Sequence, residues 1–278
     1  MTRIEPSMTR VRRASDDASL QDVGVTPLIL HVPHAGTLIP PDVHRTFELS
    51  PAELREDLEL MTDWYTDDLF SEGVDPESIV ATPFSRLVVD VERFSDDAHE
   101  RCAVFGMGAT YVRSTRGKPL RTLSETEREG LLDRFYWPHH RKLDELVTSV
   151  LAKRNRCLVL DAHSFPSRAL PIQPHIRDLP EICIGTDAFH TPPELTRFAS
   201  SWFHAKGYKV AVDFPFSGAL VPNSTYRRDR RVLALMVELR RDLYMDGTTL
   251  TPNPRYEELR TTLRDFRNAL SGFCEEFQ

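Results

Sequence analysis

Two histidines follow apolar runs that have the length of buried strands. His163 lies near the end of the run 157–165, two residues after Asp161, and His34 lies just after another apolar run. Imidazole is a common zinc ligand, and a neighbouring carboxylate can either orient it or bind the ion itself. Side chains two residues apart in a strand point the same way, so Asp161 and His163 can share one site. The alternative is an Asp that caps a turn beside a partly exposed His.

His34 also has two interpretations. The nearby Gly36 permits close approach, which suits a metal ligand or an oxyanion contact. A loop histidine hydrogen-bonded to backbone is the alternative. His31 lies three residues earlier, and in extended chain the two rings would point to opposite faces. We therefore do not expect His31 and His34 to bind one ion.

Ser164, next to His163, suggests a serine hydrolase as another class of enzyme. A nucleophilic serine needs a base and usually lies in a G-x-S-x-G turn. The local sequence is A-H-S-F-P, without a flanking glycine. The serine-hydrolase interpretation is therefore disfavoured.

Asp63 belongs to an acidic cluster with Asp67 and Asp68. In a helix over 50–73, Asp63 and Asp67 would share one face. Such clusters usually form a solvated acidic surface. The neighbouring Trp64 indicates burial, so one of these carboxylates can point inward.

Arg86 and Arg93 flank Asp90 in the apolar run 86–94. This run and the run 78–84 predict two strands, or one strand interrupted by Pro83. Arginine at a strand end suits bidentate capture of a substrate carboxylate. A structural ion pair, either Asp90 with Arg93 or Glu92 with Arg86, is the alternative.

Glu238 lies in the apolar run 232–245. Burial would raise its pKa, as a general base working near neutral pH requires. A solvent-facing residue of an amphipathic helix is the alternative. His139 and His140 can place one ring in a crevice, and we expect at least one of them at the surface.

Strands alternate with helices along the chain, which predicts a three-layer α/β/α fold with a mixed, mostly parallel central sheet. Further strands are predicted at 78–84, 157–165, 181–187 and 208–216, and helices at 50–73, 124–154, 191–207 and 254–277. Ser50 with Pro51, and Ser124 with Glu127, are helix-start signals. In such sheets ligands bind beyond the carboxyl ends of the strands, where the candidate residues lie.

The composition excludes several partners. The 278 residues carry a formal net charge of -7, so we expect neither nucleic acid nor an anionic membrane as a partner. No apolar run approaches the ~20 residues of a membrane span. The four cysteines form no CxxC pair, which predicts a reducing, cytoplasmic location. We expect residues 1–24 to be a flexible leader and residues 25–278 to form one catalytic domain.

The order of eight motifs resembles the N-formylglutamate amidohydrolases over roughly residues 26–246. The motifs are HVPHAGTLIP, TDWYTDDLF, RLVVDVERFSDD, YWPHHRKL, LVLDAHSFPS, ICIGTD, DFPFSGALVP and VELRRDLYMD. The resemblance implies a phosphorylase/hydrolase-like fold akin to the zinc carboxypeptidases. It also implies zinc-dependent hydrolysis of N-formyl-L-glutamate to formate and glutamate, a reaction of histidine breakdown.

Roles carried over from the family fall on matching positions of this chain. The implied zinc ligands are His34, Asp63 and His163. The implied general base is Glu238. Substrate contacts are implied for Arg93, Arg86, Ser217 and Gly218, and supporting positions around the ligands for Asp161 and His140.

The chain also departs from the family pattern. Asp213 begins DFPFSGA, where many members have Asn-x-Pro-Phe-x-Gly-Gly, and an aspartate there would repel a dicarboxylate unless an arginine is adjacent. The expected small-molecule partner is therefore N-formyl-L-glutamate or a similar N-formyl or N-acyl amino acid. A non-catalytic binding or regulatory relative is the alternative from another class. The expected cofactor is one zinc ion, and Mn, Co or Fe accept the same ligands. Oligomeric state is not predicted.

Overall fold

The computed structural model describes residues 26–168, 171 and 177–276. The predicted leader, residues 1–24, lies outside them. A six-stranded sheet forms the centre of the described part. Its strands are β1 (Leu28–Val32), β2 (Ile79–Ala81), β3 (Cys157–Phe165), β4 (Ile182–Gly185), β5 (Val210–Val212) and β6 (Val232–Arg240).

The sheet is mixed and mostly parallel, as predicted. The strand order is β2-β1-β3-β6-β4-β5. Among these neighbours β4 and β6 run antiparallel, and the remaining pairs run parallel. The carboxyl ends of β1, β3 and β6 therefore meet at one edge of the sheet.

Helices cover both faces of the sheet. They are α1 (Pro41–His44), α2 (Pro51–Met61), α3 (Thr66–Ser71), α4 (Glu125–Leu131), α5 (Trp137–Arg154), α6 (Pro193–Ala205) and α7 (Tyr256–Glu276). One face packs against α3, α6 and α7 around residues such as Leu160 and Phe266. The other packs against α5 around Val147 and Val159. This arrangement confirms the three-layer α/β/α prediction.

The predicted helix over 50–73 is wrong in its middle. The Ser50 cap and Pro51 start α2 as expected. The helix then stops at Met61, and Tyr65 adopts a left-handed φ of 64° before α3 begins. Asp63 lies in this break, so the expectation that it shares a helix face with Asp67 is also wrong.

The predicted strand over 86–94 is wrong. This segment forms turns, and its apolar residues, including Val88, pack beside Tyr136. The Asp90 amide donates to Ala109 O at 2.8 Å. The buried Arg121 donates to Val88 O at 2.9 Å. Side-chain packing and single hydrogen bonds hold this segment in place of strand pairing. An apolar run is expected wherever a segment is buried, so the run alone does not show that the segment forms a strand.

The predicted helix over 124–154 contains one irregular turn. Ser124 and Glu127 form the expected capping box. A π-helical turn, Leu132–Tyr136, joins α4 to α5 just before Pro138. Because proline lacks an N–H, a wider turn accommodates it without ending the helix.

Within the described ranges, none of the helices has the length and apolar character needed to cross a membrane.

Candidate metal centre and active site

The sheet register brings four polar side chains to one face at its carboxyl edge. His31 of β1 is the register partner of Asp161 in β3, and His163 is the partner of Glu238 in β6. Register partners on parallel strands point to the same face, and so do residues two apart on one strand. The four residues therefore form a row across three strands. All are buried.

The His34 loop leaves β1 and turns towards this row. A Cβ atom on Gly36 would lie 2.4 Å from the Pro83 carbonyl carbon. Only glycine permits so close an approach between the two chain segments, so Gly36 serves their packing. The Leu38 amide donates to Pro83 O at 3.0 Å and completes the attachment. The loop is thereby held beside the exit of β2, with His34 facing inward.

Asp63 lies beside His34 and the row of site residues because helix α2 ends before it. Its backbone amide donates to His34 O at 3.0 Å. Arg241, just after β6, donates to Leu60 O at 2.8 Å and approaches Asp63 Oδ1 at 3.4 Å. The break between α2 and α3 is therefore tied to two of the strand ends.

Three donor atoms converge at this point. His163 Nδ1 lies 3.2 Å from His34 Nδ1 and 3.1 Å from Asp63 Oδ2, and His34 Nδ1 lies 3.6 Å from the same oxygen. In a tetrahedral zinc site with bonds of about 2.0–2.1 Å, neighbouring ligand atoms are about 3.3–3.4 Å apart. The three observed separations bracket that value. The buried His34, Asp63 and His163 therefore fit a zinc ion or a similar divalent metal.

Asp90 supports His34 from the far side of the ring. Its Oδ1 lies 2.7 Å from His34 Nε2. Its Oδ2 accepts from Arg86 Nη2 at 2.7 Å and from the Tyr111 hydroxyl at 2.7 Å. Burial alone would raise the pKa of Asp90, but the charge of Arg86 outweighs it and holds the pKa well below its usual range. A charged Asp90 is the kind of partner that fixes the orientation of a metal-binding histidine.

Asp161 supports His163 in the same way. Its Oδ1 lies 3.0 Å from His163 Nε2 and 2.8 Å from His31 Nδ1. Its Oδ2 accepts from the Leu220 amide at 3.2 Å. Burial opposes charge on Asp161, but the neighbouring His163 charge holds its pKa far below the usual range. His163 Nδ1 is left facing Asp63 and His34.

Glu238 is a buried carboxyl group beside the three donor atoms. It lies in a strand, so the interpretation as a solvent-facing helical residue is wrong. Its Oε2 is buried and takes no hydrogen bond from the described residues. Burial raises its pKa to about 8. A carboxyl group with this pKa can bind or release a proton near neutral pH.

Arg86 and Arg93 both approach Asp90, but to different degrees. Arg86 donates from Nε at 3.0 Å and from Nη2 at 2.7 Å. Arg93 Nε lies 3.6 Å from Asp90 Oδ2 and makes no hydrogen bond within the described chain, and its side chain is 27% exposed. Arg93 therefore keeps donors for a ligand, whereas Arg86 mainly neutralises Asp90.

The loop after β5 lies close to the site. The Phe214–Pro215 peptide bond is cis, and Gly218 has a positive φ of 102°. Asp213 accepts from the Thr186 amide at 2.8 Å and from its hydroxyl at 2.7 Å. Both carboxylate oxygens of Asp213 are thus bound within the protein. Ser217 is exposed on the same loop. Three residues later, the Leu220 amide donates to Asp161, which ties the loop to the site.

Both histidines at the start of α5 are buried, so our expectation that one is at the surface is wrong. His140 Nε2 lies 2.9 Å from Val91 O and thereby holds the segment that carries Asp90. His139 Nε2 lies 2.8 Å from His31 Nε2. His139 therefore contacts His31, a member of the row of site residues. His140 contacts the backbone of the segment that carries Asp90.

Ser164 lacks the surroundings of a nucleophile. Its Oγ accepts from Arg241 Nε at 3.2 Å. The two nitrogens of the adjacent His163 face Asp63 and Asp161 instead. This geometry agrees with the weak sequence signal for a serine hydrolase.

Sequence reasoning missed four contributors to the site: Asp90 as the partner of His34, together with Tyr111, Arg241 and Glu92. Asp90 and Glu92 stand two apart after an apolar run, which is the spacing that singled out Asp161 and His163. That signal could have found them. Nothing in the local sequence of Tyr111 or Arg241 indicates their contacts, which depend on distant segments.

Comparison with known proteins gives one consistent family. The model of the family described as N-formylglutamate amidohydrolase matches residues 26–245. An N-formylglutamate deformylase of Pseudomonas aeruginosa is 29% identical over 235 residues, covering 80% of this chain and 84% of the relative. One of Pseudomonas putida is 28% identical over 234 residues, covering 81% and 84%.

Two solved structures share the fold. The crystal structure of N-formylglutamate amidohydrolase from Ralstonia eutropha JMP134 superposes with a TM-score of 0.76 at 26% identity, covering 91% of this chain and 95% of that one. A gene product of Agrobacterium tumefaciens superposes with a TM-score of 0.63 at 21% identity, covering 90% and 91%, which shows the fold alone.

Proposed function

This chain belongs to the N-formylglutamate amidohydrolase family, and from that membership we propose that it hydrolyses the formamide bond of N-formyl-L-glutamate. The products are formate and glutamate. The proposal includes one divalent metal ion, zinc, held by His34, Asp63 and His163. The two Pseudomonas relatives named N-formylglutamate deformylase support the substrate.

The observation that carries the proposal is the convergence of three buried donor atoms, 3.1–3.6 Å apart, at the carboxyl ends of the strands. When bound, a zinc ion supplies Lewis acidity for the formyl carbonyl and lowers the pKa of an attacking water. The ligand side chains are held in orientation by Asp90, Asp161 and Arg241.

Glu238 acts as the general base in this proposal. Its free Oε2 accepts a proton from the attacking water and passes it to the leaving amine nitrogen. Burial raises the pKa of Glu238 from its usual acidic range towards neutrality, where a carboxyl group can both take up and release a proton. The position of Glu238 beside His163, on the neighbouring strand, puts the proton acceptor next to the proposed ion.

Arg93 binds a substrate carboxylate and thereby positions the formamide. Its partial exposure supports this role, and so does its Nε, which lies 3.6 Å from Asp90 Oδ2 but takes part in no hydrogen bond within the described residues. Arg86 assists by holding Asp90. Ser217 and Gly218 contribute from the loop after β5, and His140 supports the segment that carries Arg93.

A related candidate is an enzyme that acts on another N-formyl or N-acyl amino acid. Asp213, in the loop after β5 where many family members have Asn, favours this alternative, because a carboxylate beside the substrate opposes binding of a dicarboxylate. A non-catalytic relative is disfavoured, since the chain retains both histidines, Asp63 and Glu238.

The test is an assay of formate release from N-formyl-L-glutamate, with N-formyl derivatives of neutral amino acids in parallel. We expect zinc-dependent turnover that a chelator abolishes and added zinc restores. Asp63→Asn removes the charged ligand and should lose turnover together with the ion held by His34, Asp63 and His163. The matched control is Asp67→Asn, an exposed aspartate of the same segment, which should behave as wild type. Turnover that survives full removal of metal would refute the proposal.

A further inference from the structure

A second group of potential ligands lies beside the first. It consists of His31, Glu92 and Asp161. We propose that these three side chains form a second divalent-cation site, so that the active centre holds two ions. The inference deepens the proposed function and rests on it in one respect, namely that His34, Asp63 and His163 bind the first ion.

The donor atoms of this group all lie within 4.8 Å of one another. His31 Nδ1 lies 2.8 Å from Asp161 Oδ1 and 3.2 Å from Glu92 Oε1. One imidazole nitrogen and two carboxylate oxygens form a ligand set that suits Zn, Mn, Co or Fe. The three residues come from β1, from β3 and from the turn after Asp90. The same folding that builds the first group therefore builds the second.

Glu92 indicates that the group is incomplete without a cation. Its Oε1 is buried but takes no correctly oriented hydrogen bond from the described residues, although His31 Nδ1 and His163 Nε2 lie 3.2 and 3.7 Å away. A buried carboxylate oxygen that lacks an aligned hydrogen bond is costly, and a cation bound between Glu92 and these imidazole rings supplies a direct charged partner. The Glu92 side chain is 13% exposed, so an ion here has a path from the crevice.

His31 has the surroundings of a metal-binding histidine. Its Nδ1 faces the two carboxylates, and its Nε2 lies 2.8 Å from His139 Nε2. Metal-binding histidines typically use one ring nitrogen for the ion and hydrogen-bond the other, which fixes the ring. His139 provides that hydrogen bond and is a positioning residue in this proposal.

One imidazole connects the two groups. His163 Nδ1 faces Asp63 and His34, and His163 Nε2 lies 3.0 Å from Asp161 Oδ1. The two ions would therefore lie on opposite sides of the His163 ring.

The competing explanation is a hydrogen-bond network in which His31 and Asp161 only orient His163. Counting bound ions separates the two. The full-length protein is stripped with a chelator and dialysed against zinc at a fixed free concentration, and zinc per chain is measured by mass spectrometry. We expect two ions in wild type and one in Glu92→Gln, which keeps the shape of the side chain but removes its charge. His31→Gln should also bind one ion.

Two further variants assign the ions. Asp63→Asn should lose the first ion and keep the second. Glu56→Gln, at an exposed glutamate outside the site, should bind two ions and is the matched control. Thermal melting verifies folding, and Glu92→Gln carries the test if the buried His31 variant does not fold.

Wild type with one ion that Asp63→Asn removes and Glu92→Gln leaves would overturn the second site and leave the proposed function intact. Equal zinc content in wild type and Glu92→Gln would also overturn it. A single ion lost in both variants would mean one shared site, which contradicts the proposal as well. Absence of any bound ion in wild type would refute the proposed function itself.

Discussion

Replacing Asp90 with asparagine should weaken metal binding without touching a proposed ligand. Asp90 Oδ1 lies 2.7 Å from His34 Nε2, and both side chains are buried. Asparagine keeps the shape and can accept the same hydrogen bond, but it carries no charge. The change therefore tests whether the charge behind His34 contributes to binding at Nδ1.

The expected loss follows from the kind of hydrogen bond that changes. Bonds to charged groups contribute about 1.5–3 kcal/mol and neutral ones about 0.5–1.5 kcal/mol. The difference, about 1–2 kcal/mol, corresponds to about a five- to thirty-fold weaker affinity for zinc. This agrees with the roughly 10–100-fold losses typical of changes behind a metal ligand.

The same substitution should also lower the free energy of unfolding, because it leaves Arg86 without its countercharge. Arg86 is only 12% exposed and makes two hydrogen bonds to Asp90. Removing one partner of a buried ion pair costs about 3–5 kcal/mol. Domains are stable by about 5–15 kcal/mol, so Asp90→Asn should remain folded at a low assay temperature.

The assay is competition for zinc with a chelator of known affinity, together with denaturant unfolding of the metal-free protein. Asp96→Asn, at an exposed aspartate of the same segment, is the control and should leave both quantities unchanged. A folded Asp90→Asn variant with wild-type zinc affinity would refute the role of His34 as a ligand supported by Asp90. A loss of stability alone would restrict Asp90 to a structural role.

Two further changes separate the chemical roles at the site. Glu238→Gln should keep its bound metal but lower kcat by about 10²–10⁴-fold, the usual contribution of general acid–base catalysis; unchanged turnover would remove Glu238 from the mechanism. Arg93→Ala should mainly raise KM for N-formyl-L-glutamate, because a contact that is equal in ground and transition states affects binding more than kcat. The steady-state parameters of Arg113→Ala, an arginine away from the row of site residues, provide the comparison, and an equal KM in the two variants would exclude Arg93 as the carboxylate anchor.

Local sequence signals were sufficient for most of the secondary structure. The sequence predicted the helix caps at Ser50 and Ser124 and the strand β3. These features depend only on residues close together in the chain, so their sequence patterns were sufficient. The strand predicted over 86–94 was wrong because this segment forms turns, although its apolar residues are buried against α5 and its neighbours. The pattern of burial does not reveal whether a segment also pairs with a strand.

The sequence by itself determined the fold class and the types of residue at the strand ends. Periodicity and burial are local properties, and parallel strands place their carboxyl ends at one edge, so His34, His163 and Glu238 could be named as candidates from the sequence, while their expected roles came from the family resemblance. Only the tertiary structure decided which groups face one another. Asp63 reaches His34 because a helix breaks at Thr62, and Asp90 and Glu92 reach the site from a segment that forms no strand. Such contacts depend on the relative placement of segments far apart in the chain, which no local pattern encodes.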